Sequence, residues 1–208
     1  DAMLARVHDL ACPAVVVNGD DPQMRLSSVT PCNRSAAALA TRHLAALGHR
    51  RIAFLYRPGR RTIQRRYEGW RDVLAGDFEP ALILEAADWT AEAAQRSVSR
   101  ALEQGLDFTA IVAAGDILAA GAISALVAAG RRVPQDVSVI GIDGLPQGQY
   151  LAPALTTVKI PMHAVGALSA ELLAETVRLR KAGVTLPSRR IELACELIER
   201  ASCAPPPR

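Results

Sequence analysis

The chain has 208 residues, half of them hydrophobic and 22% charged, with a formal net charge of +3. That is enough chain for one large or two small domains with a real core. The near-balanced charge gives this segment no footprint for nucleic acid, and no apolar run approaches the roughly 20 residues of a membrane span. In chain order, 14–18 (AVVVN) is a β-branched strand before a Gly-Asp-Asp-Pro turn. Residues 35–47 form an Ala-rich helix, with Leu39, His43, Leu44 and Leu47 at helical spacing, and it stops at Gly48. A strand at 52–56, a helix at 65–75 and a strand at 81–85 follow. Thr90 caps a helix to 104. A strand at 110–114 leads to a helix opened by Asp116 and closed by Gly130. Strands at 137–142 and 155–159 precede the longest helix, 161–181, whose Pro161 fits a first turn and whose stripe is Val165, Leu168, Leu172 and Leu173. A last strand spans 191–198, and the Pro-rich end, 201–208, reads as a disordered tail.

Strands alternating with helices favour a mainly parallel sheet with helices on both faces. The strand at 137–142 ends on Asp143, and such strand ends are where α/β folds bind ligands. Four cysteines, Cys12, Cys32, Cys195 and Cys203, lack metal-ligand spacing and read as reduced thiols of a cytosolic protein. His8, His43, His49 and His163 have no metal-type partners in sequence. Residues 1–11 carry Asp1, Arg6, His8 and Asp9 and no apolar stretch of a secretion leader. The first residue is Asp, not Met, which reads as a piece of a longer protein. Asn33-Arg34-Ser35 matches a glycosylation acceptor that a cytosolic protein would not use. No nucleophile elbow, phosphate loop, dinucleotide fingerprint or zinc-protease motif occurs. No enzyme and no cofactor is therefore expected.

Several stretches together resemble the effector-binding domain of LacI/GalR-type bacterial transcription regulators, relatives of the type I periplasmic-binding-protein-like fold. They are PAVVVN at 13–18, SSVT at 27–30, LATRHLAALGHRRIAFL at 39–55 and the Arg66-Tyr67-Glu68-Gly69-Trp70 segment. TAIVAAGDILAAGAISAL at 109–126, RVPQDVSVIGID at 132–143 and LAPALTTVKIPM at 151–162 continue in the same order. The resemblance implies a two-subdomain α/β fold. Residues 1–30 with 161–185 would be an incomplete N-subdomain, and 31–157 with 188–200 a whole C-subdomain. Pro31, Pro161 and Pro187 would lie near the three crossings. It also implies a helix-turn-helix headpiece outside this chain, operator DNA bound through it, and a homodimer. The Ala-rich helices 35–47 and 118–129 are candidates for the dimer face, although their alanines could equally pack on the sheet. The alternative is a periplasmic solute-binding protein of a sugar transporter, which shares the fold.

The resemblance further implies a small-molecule effector, a sugar or an anionic derivative, bridging Asn18 on one lobe and Arg66, Trp89 and Asp143 on the other. Asp143 would accept paired hydroxyl or N–H hydrogens, or else only cap the following loop. Arg66 would offer forked donors, within a basic run of Arg57, Arg60, Arg61 and Arg65 that either forms a pocket rim for an anion or is simply solvated. Trp89 would stack on the ligand or pack in the core, and Tyr56 would border the pocket. Two positions depart from the family pattern. Gly115-Asp116 replaces an Asn-Asp pair, so Asp116 reads as a helix N-cap ahead of a ligand contact. Ile160 stands where sugar-binding members carry a polar residue. Both changes make the cleft less polar.

Overall fold

The computed structural model describes residues 2–9, 12–184 and 186–207. In chain order the elements are α1 Ala2–Asp9, β1 Val15–Val17, β2 Ser27–Pro31, α2 Asn33–Ala46, β3 Ile52–Tyr56, α3 Arg61–Leu74, β4 Ile83–Glu85 and α4 Ala91–Glu103. They continue with β5 Ala110–Ala113, α5 Asp116–Ala128, β6 Ser138–Asp143, β7 Thr156–Lys159, α6 Met162–Lys181, β8 Arg190–Leu193 and β9 Glu196–Ile198. The chain divides into two compact units, Asp1–Cys32 with Pro161–Ala194, and Asn33–Ile160 with Cys195–Arg208.

The smaller unit holds a parallel three-stranded sheet in the order β1-β2-β8. Alternation along β2 sends Val29 to the face where Val165 and Leu172 of α6 pack, with Val15, Leu168 and Ile191 around them. Leu173, expected on the same stripe, is 37% exposed, because it lies one residue round the helix from Leu172. The loop after β1 is fastened by Asp21. This fully buried carboxylate accepts from the Arg25 side chain at 2.9 and 3.0 Å and from the backbone N–H groups of Gln23, Arg25 and Leu26. The Arg25 guanidinium holds it ionised well below the usual carboxylate range.

The larger unit holds a six-stranded sheet in the order β4-β3-β5-β6-β7-β9, parallel except for β9. Its strands are continuous apolar runs because helices cover both faces. Ile52 to Leu55 and Ala110 to Ala113 are fully buried. Trp70 of α3 is completely enclosed, stacked on Phe54 at 5.4 Å, and its indole N–H donates to the Ile52 carbonyl. Helices approach closely where a side chain is missing: a Cβ on Gly69 would lie 2.0 Å from the Arg34 carbonyl of α2.

Several expectations need correction. Helix α1 had no sequence signal, and the leader reading concerned residues of which 1, 10 and 11 lie outside the described ones. Helix α3 begins at Arg61, a turn earlier than expected. The expected strand 191–198 is two strands: β8 pairs parallel to β2 in the smaller unit, β9 antiparallel to β7 in the larger. The chain's third passage therefore falls at Ala194–Cys195 and not beside Pro187. The end of the chain is not a disordered tail through 207. Ser202 donates to the Val139 carbonyl at 2.6 Å and accepts from Thr156 N, while Ala204 is bonded to Ser138 and to His49. These bonds fasten 201–204 to the larger unit ahead of the three prolines. The alanines proposed for a dimer face are occupied within one chain: Ala36, Ala37, Ala40, Ala119, Ala122 and Ala125 belong to the core of the larger unit.

Candidate functional site

In the six-stranded sheet the chain runs from β3 through α3 to β4 on one side, then returns through α4 to β5 on the other. Strand order thus reverses between β3 and β5. The crevice beyond the carboxyl ends of strands at such a reversal is where open α/β sheets take ligands.

Arg66 and Asp143 meet there. Arg66 is 4% exposed. Its Nε donates to Asn33 Oδ1 at 2.8 Å, and its Nη1 to the Ala114 carbonyl at 2.5 Å and to Asp143 Oδ1 at 3.1 Å. The guanidinium is thereby fixed across the end of β5 by a side chain at the start of α2 and a carboxylate at the end of β6. A buried charge held by several directed bonds is a preorganised donor set. Asp143 is partly exposed, with φ 147, a conformation that L-residues rarely adopt. A non-glycine residue held there costs on the order of 1–3 kcal/mol and persists only where its surroundings dictate it. Burial pushes the Asp143 carboxyl above its ordinary value; the Arg66 charge works against that, and the neighbouring Asp116 charge adds to it.

Asp116 is not an N-cap. Gly115 occupies that position and Asp116 is the first residue of α5. Its carboxylate is 4% exposed, accepts from Thr157 Oγ1 at 2.5 Å and from Leu145 N at 2.7 Å, and would collide with any Cβ on Gly141. It fastens the loop that follows Asp143, beneath the crevice. Burial raises its pKa too, opposed by the Thr157 hydroxyl and the loop N–H groups.

Trp89 sits between β4 and α4, half-buried, its backbone N–H held by Asp88. The next residue, Thr90, caps α4 as expected, accepting from Ala93 N. The Trp89 ring reaches Gly115: a Cβ there would lie 2.5 Å from the indole Cζ2 and 3.2 Å from Asp143 Oδ2. Arg66, Asp143, Trp89 and Asp116 are thus brought together. Tyr56 ends β3 at the same sheet edge but gives its hydroxyl to Glu85 at 2.8 Å, and burial pushes its pKa up to about 12. Asn18 belongs to the other unit, exposed at the end of β1 with φ 52, its backbone N–H on the Val29 carbonyl. Ile160 is partly buried against the core, its N–H on the Asp143 carbonyl.

Part of the basic run is already committed, Arg65 to Glu68 at 3.0 Å and Arg66 to Asp143. Tyr56, Pro58, Gly59, Arg60, Arg61 and Gln64 line an open groove of about 230 Å³ at the end of β3. Sequence reasoning missed Asn33, which matched only a glycosylation pattern, and Thr157. Asn33 is 5% exposed and orients Arg66. The available signal was a polar residue opening an otherwise Ala-rich helix. Thr157 carries none. Among the described residues no three His, Cys, Asp or Glu side chains are grouped to hold a metal ion, and no helix is long and apolar enough to cross a membrane. Among the described residues the cysteines form no disulfide.

Residues 41–203 match the periplasmic binding protein-like domain model. The ribose operon repressor of Halalkalibacterium halodurans is 36% identical over 81% of this chain and 50% of its own length. A LacI family transcriptional regulator of known structure from Mycobacterium smegmatis is 33% identical with a TM-score of 0.85, over 99% of this chain and 75% of that one. A sugar-binding LacI family regulator from Escherichia coli, solved in complex with phosphate, is 30% identical with a TM-score of 0.83, over 99% and 73%. The chain spans about half the length of the curated relatives it matches.

Proposed function

Because the chain belongs to the periplasmic binding protein-like family, in its LacI regulator branch, we propose that it is the effector-sensing part of a bacterial transcription regulator. The observation that carries this reading is the Arg66–Asp143 pair, fixed in the crevice where strand order reverses, with Asp143 in a strained backbone conformation. A carboxylate that accepts and a guanidinium that donates suit a small polar ligand with both kinds of group, and the half-buried Trp89 adds an apolar surface. Asp116, Asn33 and Thr157 position these groups and touch no ligand. The role of Asn18 rests on family resemblance alone.

The ligand class is a sugar or an anionic sugar derivative. The relatives' names mention ribose, and one related structure holds phosphate. The groove lined by Arg60 and Arg61 favours the anionic member of that class. In the longer protein, a headpiece outside this chain binds operator DNA, and effector binding alters that affinity. Coupling of about 1–3 kcal/mol corresponds to roughly 5- to 150-fold in operator affinity. A two-fold operator calls for a homodimer, which sedimentation of the longer protein checks. Such a regulator works in the cytoplasm and is no enzyme. The relatives' names favour this reading over a solute-binding protein of a transporter.

The test is a thermal-shift screen with D-ribose, ribose phosphate, gluconate and adenine on the wild type, Asp143→Asn and Arg66→Met. At least one probe is expected to stabilise the wild type, and both variants should lose that shift while still melting cooperatively. Retention of the full shift in both variants overturns the site.

A further inference from the structure

Gly115 holds the N-cap of α5 with φ −167 and ψ 152, extended backbone that any residue adopts. Nothing in the main chain calls for glycine. An N-cap favours Ser, Thr, Asn or Asp, whose side chain accepts an N–H of the first turn, and α5 forgoes that bond. The reason lies in space. A Cβ at 115 would sit 2.5 Å from Trp89 Cζ2, 3.2 Å from Cη2 and 3.2 Å from Asp143 Oδ2. Ring and carboxylate converge on one point that only glycine leaves open. Asp143 Oδ1 is engaged by Arg66, and Oδ2 is the oxygen that faces the point shared with the indole edge.

We propose that Gly115 is a specificity-determining residue: it admits the Trp89 indole beside Asp143, so the site selects a ligand whose hydrogen-bond donor is flanked by apolar carbon. The inference rests on the site reading given above and deepens it. The edge formed by Cζ2 and Cη2 offers only C–H groups. A ligand hydroxyl facing that edge gives up its water and finds no partner, whereas a methyl or methylene buries apolar surface there. Ile160, whose N–H bonds the Asp143 carbonyl, packs its side chain against the core and adds no polar group. Deoxy sugars are the ligand class that fits.

Two measurements test this. The first needs no ligand. The protein has two tryptophans, and Trp70 is fully buried, so acrylamide quenching reports Trp89. In Gly115→Ala and Gly115→Asn the indole is displaced, and quenching rises with a red shift in emission. The second compares pairs differing by one hydroxyl, D-fucose with D-galactose, deoxyribose with ribose and deoxyribose 5-phosphate with ribose 5-phosphate, by calorimetric titration. In at least one pair the wild type binds the deoxy member about tenfold or more tightly, and Gly115→Asn loses that preference. Unchanged quenching in both variants overturns the proposal, as does equal or absent binding of both members of each pair. If the Gly115 variants do not fold, Trp89→Ala opens the same space. Its hydroxylated ligands should then gain on the deoxy ones, and an unaltered ratio overturns the proposal. A ligand shift that depends on Asp143 but not on Gly115 sinks this inference alone. A shift that ignores Asp143 sinks the sensing site itself.

Discussion

At the level of single residues, Asp143 and Arg66 are placed by different forces. Arg66 could be named from sequence because its segment matches a family pattern, but its fixed position comes from Asn33 and the Ala114 carbonyl, partners 33 and 48 residues away that its own segment does not indicate. Asp143 could be named because an acid ends a buried strand. Its positive φ and its raised pKa are consequences of tertiary packing that no single sequence displays. The raised pKa has a functional sign. A ligand donor bonds the ionised carboxylate, and that form is lost as pH falls through a value above the ordinary 3.8. Effector affinity is therefore expected to be flat near neutrality and to fall on acidification, before ordinary surface carboxylates titrate. Asp143→Asn should flatten the curve at weaker affinity. Calorimetric titration with the best-binding probe across this range checks it; an identical pH curve for wild type and variant would rule out Asp143 as the titrating contact. Asp116 illustrates the opposite lesson. The sequence offers an acid at a helix start, and capping is the ordinary use of one, yet Gly115 takes the cap and the carboxylate turns to Thr157 and Leu145.

At the level of elements, periodicity and punctuation located every strand of the larger sheet, because each is a short apolar run bounded by turn residues. What they could not show is which sheet a strand joins. The run 191–198 reads continuously but serves β2 with its first half and β7 with its second. The order of the final segment is hidden from local sequence for a related reason: its anchors lie far away in the chain. His49, 1% exposed, bridges Thr109 Oγ1 and the Ala204 carbonyl, each at 2.8 Å. Burial lowers its pKa from the ordinary 6.5, with His43 contributing and the Ala204 bond opposing. The folded state therefore binds fewer protons than the unfolded one below that value. Stability is fully present above pH 6.5 and declines as pH falls from there towards the folded pKa. His49→Gln keeps both partners in reach without a titrating group. It should cost about 1 kcal/mol near neutrality and abolish the decline between neutral and mildly acid pH. Urea unfolding of both proteins over that range is the measurement, and parallel pH profiles would refute the assignment.

At the level of the whole molecule, the two units are unequally provided. The larger has a contiguous core spanning both faces of six strands. Among the described residues the smaller has a three-stranded sheet covered by α6 and a buried apolar cluster of Val29, Val165 and Leu172. Ordering a residue costs roughly 1–2 kcal/mol in backbone entropy alone, and a cluster that small offsets little of it. The Asp21–Arg25 clamp fixes one loop without enlarging the core. Native-state hydrogen exchange should accordingly separate the units. Amides of β1, β2 and α6 are expected to exchange through a low-energy partial opening, while those of β3, β5 and β6 exchange only on global unfolding. Two cooperative steps should then appear as denaturant is added, the smaller unit first. Equal protection across β2 and β5, tracked by mass spectrometry of proteolytic fragments, would show instead that the smaller unit draws its stability from contacts beyond its own core. The prediction turns on counts of buried apolar side chains, and it holds whichever effector the larger unit binds.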